Sequence, residues 1–467
     1  MYERRNRDSN SAYYPSFLFL SLDSPENIND LLSEGFDERT QALFVHEYTH
    51  FMQDITTYSG LVEIITKVDR FKWAVSEAAM QKELDIPFHP ETQSAYHIAD
   101  NFLAQTVADG SGDGKGIQIG KILQFRVEKA SLTNKGKTIE KDVKAFLKFE
   151  TPQGDEKIYY LGAYAISESM AYIMEQTLYP NAISDPEDCP YHIVQKIVHH
   201  YIPQYEDDLS MIAICDVCLQ TPFPGATFYN IIQLLLKRWN HKNRHEFLSP
   251  EDIIEKIGLT YQFLKRNSIY SLWPIYMDER GCEACKQLQD FFTQSYWKGN
   301  KDLVGQILSH AIEYRKKNPF LMLDMARGGK LTNNAAFLGF YSACGIPCII
   351  NANDEVYSVI PQYCAHFDIE PELFVNLHSL HEILLTKKAS NNYNIYKCPL
   401  INHCHSSYEK KVREGCIDPM PVDLTVKEDE YCLQAPWNNN FPGEGVNNCS
   451  FARLWATYGL STISISY

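Results

Sequence analysis

Apolar residues recur along this chain with two different periods, and the switches between them outline its elements. Over residues 37–58 the spacing is helical. Ala42, Leu43, Val45, Phe51, Met52 and Ile55 give buried faces around polar positions, and Asp37 stands where an N-cap belongs. Further helices are predicted over roughly residues 60–83 and 97–108. Ahead of them the run Ser16-Phe17-Leu18-Phe19-Leu20-Ser21-Leu22 reads as a strand over 15–22, closed by Asp23-Ser24-Pro25. Alternation takes over at Ile122–Val127 and Val143–Phe149. With Ile158–Leu161 these runs predict a small, mostly antiparallel sheet. A helix follows from Ala163 to about Glu175, ended by Pro180. Residues 190–239 are helical with a break at Pro222, Pro224 and Gly225, 250–320 are mostly helical, and 333–360 hold apolar, strand-like pieces. No internal repeat is evident.

These elements make an α+β chain. We expect a first unit over residues 1–245, a helical accessory region over 246–330, and a mixed C-terminal region over 331–467. At 467 residues the chain has room for such a division, and 45% hydrophobic content is ordinary for a globular protein. The net charge of −16 speaks against nucleic acid or an anionic membrane as partner, because both call for a basic surface. The apolar run at residues 16–22 is too short to span a bilayer and lacks a cleavage signature. Thirteen cysteines without such a signal point to a reducing, cytoplasmic setting, where thiols stay free or bind metal.

The polar side of the first helix carries the chemistry. His46-Glu47-Tyr48-Thr49-His50 is an H-E-x-x-H pattern. Residues four apart on a helix lie one above the other, so both imidazoles can reach one metal ion while Glu47 faces a water on it. Zinc suits imidazole nitrogen, and a catalytic zinc takes three protein ligands with one position open. The rival reading of the pentad is a surface helix with two solvated histidines. For the third ligand we single out Glu168, set among small and apolar residues where an unpaired carboxylate is costly. Glu175, two turns on, is the rival third ligand. Asp54 or Glu175 is the candidate for a carboxylate supporting a histidine from behind.

Here the chain resembles the gluzincin metallopeptidases, whose third ligand lies in an E-x-x-A pattern on a later helix; Glu168-Ser169-Met170-Ala171 matches it. The resemblance covers roughly residues 15–180. It implies a zincin-like unit that hydrolyses a peptide or protein substrate, with Zn²⁺ on His46, His50 and Glu168, and Glu47 as general base. Many gluzincins carry an acidic residue four positions after the ligand; this chain has Tyr172 there. The longer metzincin pattern is absent, since Phe51-Met52-Gln53-Asp54-Ile55-Thr56 lacks its glycine and third histidine. Two alternatives to a peptidase stand beside it: a zinc amidohydrolase on a non-peptide amide, and a scaffold protein with structural zinc only.

Other candidates are weaker. Asp109-Gly110-Ser111-Gly112-Asp113-Gly114 opens like a calcium loop, but Gly120 stands at position twelve where a bidentate glutamate belongs. Cys215/Cys218 and Cys282/Cys285 form two C-x-x-C pairs. The first looks like part of a buried helix and the second like a loop. The tail gathers Cys398, Cys404, Cys416 and Cys432 with His403 and His405, a candidate structural metal site whose spacing fits no standard finger. His199-His200 offer a candidate oxyanion contact.

Overall fold

The computed structural model describes residues 11–81, 83–85, 116–134, 137–180, 182–184, 186–203, 205–239, 247–259, 273–292, 294–353, 355–385, 450–460 and 464–466. Within them the chain is mixed α and β, rich in helix, with three small sheets. The helix predicted from residue 97, the loop at Asp109, and Cys398, Cys404, Cys416 and Cys432 lie outside the described residues.

The pattern around residue 37 produces helix α1, Glu38–Thr56, whose N-cap Asp37 accepts from the Thr40 N–H at 2.7 Å. Residues 40–56 are all buried, so α1 is a central helix and not the surface helix of the rival reading. Thr57 ends it and caps the next helix, α2, Tyr58–Ala78. Gly60 makes that corner possible: a Cβ there would lie 2.3 Å from the Gln53 carbonyl oxygen and 2.4 Å from Asp54 Cα.

The apolar run at residues 15–22 forms a hairpin and not a single strand. Strand β1, Ala12–Tyr14, pairs antiparallel with β2, Phe19–Ser21, around a turn in which Ser16 and Leu18 adopt φ of 67° and 51°. Next in the chain come β3, Glu83–Asp85, then β4, Lys121–Asn134, β5, Lys137–Glu150, and β6, Glu156–Leu161. The last three form the expected antiparallel sheet, longer than predicted.

Helix α3, Ala163–Leu178, follows directly and packs on α1. Beyond it come α4, Ile193–Tyr201, α5, Asp208–Leu219, and α6, Pro224–Trp239, which starts at the predicted Pro/Gly break. The three-stranded sheet packs on α6, and β1 lies against α1.

Further on are α7, Pro250–Ile253, α8, Trp273–Gln289, α9, Lys298–Lys317, α10, Leu321–Arg327, and α11, Ala335–Cys344. Strands β7, Ile346–Ile350, and β8, Val356–Val359, complete the N-terminal sheet: β7 runs parallel to β2 and antiparallel to β8. Helix α12, Glu372–Leu385, and helix α13, Ser450–Thr457, close the described fold with β9, Ser464–Ser466, which pairs with β3. One hydrophobic core runs from Tyr13 to Leu460. No described helix is long and apolar enough to cross a membrane.

Candidate metal centre

Helices α1 and α3 pack against each other and bring the predicted residues together. His46, Glu47, His50 and Glu168 are each 0–1% exposed. His46 Nε2 and His50 Nε2 are 3.3 Å apart, and each lies 3.4 Å from Glu168 Oε2. Among the described residues this is the one group of three or more such side chains close enough to share a metal ion.

The tautomers follow from what holds each ring from behind. His46 Nδ1 is 3.0 Å from Glu175 Oε2, and a carboxylate only accepts, so Nδ1 carries the proton. His50 Nδ1 is 2.9 Å from Gln53 Oε1. The Gln53 amide cannot be reversed, because its Nε2 donates to the Ser167 carbonyl at 3.2 Å. Nδ1 of His50 is therefore also the donor. Both Nε2 atoms are left with lone pairs, pointed at each other and at a carboxylate oxygen. Three acceptors this close repel unless a cation sits among them. Glu168 Oε1 is buried without a hydrogen-bond partner, a second polar atom left for an ion to satisfy.

Without a metal the cluster can neutralise itself only by taking a proton. Burial pushes the His46 imidazolium pKa down, but hydrogen bonds to Glu168 and Glu175 and the charge of Glu47 outweigh it and raise it to about 10. Burial likewise pushes the Glu168 carboxyl up. The charge of His50 and hydrogen bonds from both histidines reverse that and hold it well below the usual carboxylate range.

Of the two rivals for third ligand, Glu168 lies at the Nε2 atoms, and Glu175 supports His46 from the other side of the ring. Asp54 is engaged elsewhere and does not take the supporting role considered for it. Its Oδ2 accepts from the Tyr13 hydroxyl at 2.7 Å and the Ser16 N–H at 2.9 Å. Position 53, not 54, faces His50, since three residues on a helix bring Gln53 back beneath the ring. Tyr172 turns to Tyr191 and His192. His199 and His200 end α4 on the exposed surface. Sequence reasoning missed Gln53 and Tyr13; the main-chain N–H of Tyr13 donates to Glu47 Oε2 at 2.6 Å.

The cysteine pairs give no metal centre among the described residues. Cys215 and Cys218 are buried in α5, and burial raises both thiols far above their usual range. Cys282 and Cys285 belong to α8 and not to a loop, Cys282 on its exposed side. Compared with protein-family models, curated proteins and solved structures, the chain matches none.

Proposed function

We propose that this protein is a zinc-dependent hydrolase of the gluzincin type, acting on a peptide bond of a peptide or protein substrate. The observation that carries the reading is the 3.3–3.4 Å triangle of His46 Nε2, His50 Nε2 and Glu168 Oε2 beside Glu47. A tetrahedral ion with nitrogen and oxygen ligands at ~2.0–2.1 Å needs neighbouring donors ~3.3–3.4 Å apart. Calcium, with six to eight oxygens at ~2.3–2.6 Å, calls for a wider site without imidazoles. Bound zinc supplies a Lewis acid that polarises a carbonyl and acidifies water.

The chain's own residues supply the rest. Glu175 and Gln53 fix the two rings, so no reorientation is needed when the ion binds. Glu47 takes the proton of the attacking water and hands it to the leaving amine as the C–N bond breaks. Eight described cysteines are free thiols, which supports the cytoplasmic setting proposed for the chain.

Metal content by mass spectrometry tests the centre: about one zinc per chain for the wild type, lost in His46→Ala. Zinc retained in His46→Ala would reject the triad as its site. Glu47→Gln should keep the zinc and lower turnover of a peptide library by ~10²–10⁴-fold.

One observation favours a second reading, in which the zinc only ties helices together: the triad is 0–1% exposed. The two readings part at Glu47. With a structural zinc, wild type and Glu47→Gln turn over no peptide and bind the metal alike, whereas a hydrolase loses its activity on this substitution and keeps its fold.

A further inference from the structure

We infer that the edge strand β1 is a working part of the candidate site: the Tyr13 main-chain N–H positions the Glu47 carboxylate, and Asp54 holds Tyr13 in place. The role of Glu47 as proton carrier rests on the hydrolase reading; the hydrogen bonds that position it do not.

Glu47 and Asp54 are seven residues apart on α1, two turns along one face. A single residue bridges them. Tyr13 donates its main-chain N–H to Glu47 Oε2 at 2.6 Å and its hydroxyl to Asp54 Oδ2 at 2.7 Å, while its ring packs edge-on against Phe51 between them. In the register Ala12↔Ser21, Tyr13↔Leu20, Tyr14↔Phe19, main-chain groups alternate between the partner strand and the open edge. Tyr13 is the position whose N–H faces outward, and β1 is the outermost strand of its sheet. That outward edge points at the catalytic helix.

The turn beyond β1 shows how firmly the strand is held. Ser16 and Leu18 have φ of 67° and 51°, a left-handed region that side chains with a Cβ seldom occupy. Such a conformation persists only where its surroundings fix it. Asp54 fixes it through the Ser16 N–H at 2.9 Å, and Phe17 anchors the tip against Phe71 and Phe291. With Oε2 of Glu47 tied to the strand, its carboxylate cannot spin about its terminal bond. Oε1 then keeps one direction, which is what a proton carrier needs between two transfers. Asp54 and Tyr13 are thus positioning residues acting through Glu47.

The test is nuclear magnetic resonance of the full chain carrying ¹⁵N-tyrosine, with the Tyr13 amide assigned by its disappearance in Tyr13→Phe. An amide donating to a buried carboxylate resonates downfield of its neighbours. Glu47→Gln, which keeps the shape and removes the charge, should move the Tyr13 signal upfield. Asp54→Asn should move it too and speed its exchange with solvent by at least ~10-fold, the weight of a hydrogen bond to a charged group, while the other tyrosine signals stay put. A Tyr13 signal that ignores Glu47→Gln overturns the inference, whatever Asp54→Asn does to the fold. A signal unmoved and unquickened in Asp54→Asn overturns the part given to Asp54. The spectra are taken with and without zinc. Failure to bind zinc would reject the hydrolase reading and leave the hairpin result standing.

Discussion

Two histidines of this protein are buried to the same degree and respond in opposite ways. His46 on α1 and His381 on α12 are 1% and 0% exposed. His46 lies between two carboxylates with a third nearby, and its pKa is pushed up to about 10 against the pull of burial. His381 has no hydrogen bond to either ring nitrogen and sits against the Phe17 and Phe71 rings. Burial lowers its pKa, Glu382 at 3.8 Å only partly offsets this, and Arg70 and Lys67 lower it further. Burial alone therefore does not make a site. What distinguishes the α1–α3 region is that every ring atom turned away from the centre is held, so the remaining lone pairs converge on one point.

A third buried group sharpens the contrast and carries the largest expected effect. Asp216 on α5 and Arg315 on α9 pair at 2.5 Å, both 1–2% exposed. Here the charges neutralise each other directly, and Asp216 Oδ1, Arg315 Nε and Arg315 Nη1 are left without hydrogen-bond partners. Asp216→Ala should cost ~3–5 kcal/mol, because it strands a buried guanidinium. The double replacement Asp216→Leu with Arg315→Met should recover most of that loss in urea unfolding. If the single and double variants prove equally unstable, the pair is more than a self-neutralised ion pair, and the contrast with the metal centre weakens.

Glu175→Gln acts on the centre itself. The glutamine keeps a hydrogen bond to His46 Nδ1 but loses the charge that makes the ring a strong ligand. Zinc affinity should fall ~10–100-fold in competition with a chelator, with one zinc still bound at saturation. An unchanged affinity would mean that the 3.0 Å contact does not tune the ring.

Some of this arrangement is legible in the sequence because one signal repeats at two levels. The H-E-x-x-H spacing coincides with an apolar period of the same helix, and Glu168 stands out as a carboxylate in a run of small and apolar residues. Gln53 carries no charge to mark it, and its value lies in reaching two helices at once. Tyr13 contributes a main-chain N–H, which every residue but proline has. The hairpin was hidden because its left-handed positions are Ser16 and Leu18 and not glycines, so the run reads as one strand. Gly281 misleads in the other direction. It resembles a loop residue, yet it lies within α8, where a Cβ would stand 2.0 Å from Ile312 Cδ1 on α9. The glycine faces a neighbouring helix, not a turn.

The smallest effect returns to the second histidine. Burial makes His381 harder to protonate in the folded chain than in the unfolded chain, where the imidazole takes a proton below about pH 6.5. The unfolded state thus binds more protons as the pH drops through that value, and stability falls with it. His381→Phe removes this dependence, since the replacement ring sits among Phe17 and Phe71 without a site to protonate. The variant should gain on the wild type in urea unfolding between pH 8 and pH 5, with the gain concentrated below pH 6.5. A gap that stays constant over this range would show that His381 is protonated as readily in the fold as outside it, and the opposition between the two histidines would be lost. A gap that widens on acidification would leave the carboxylates around His46 as the reason one buried imidazole accepts a cation and the other does not.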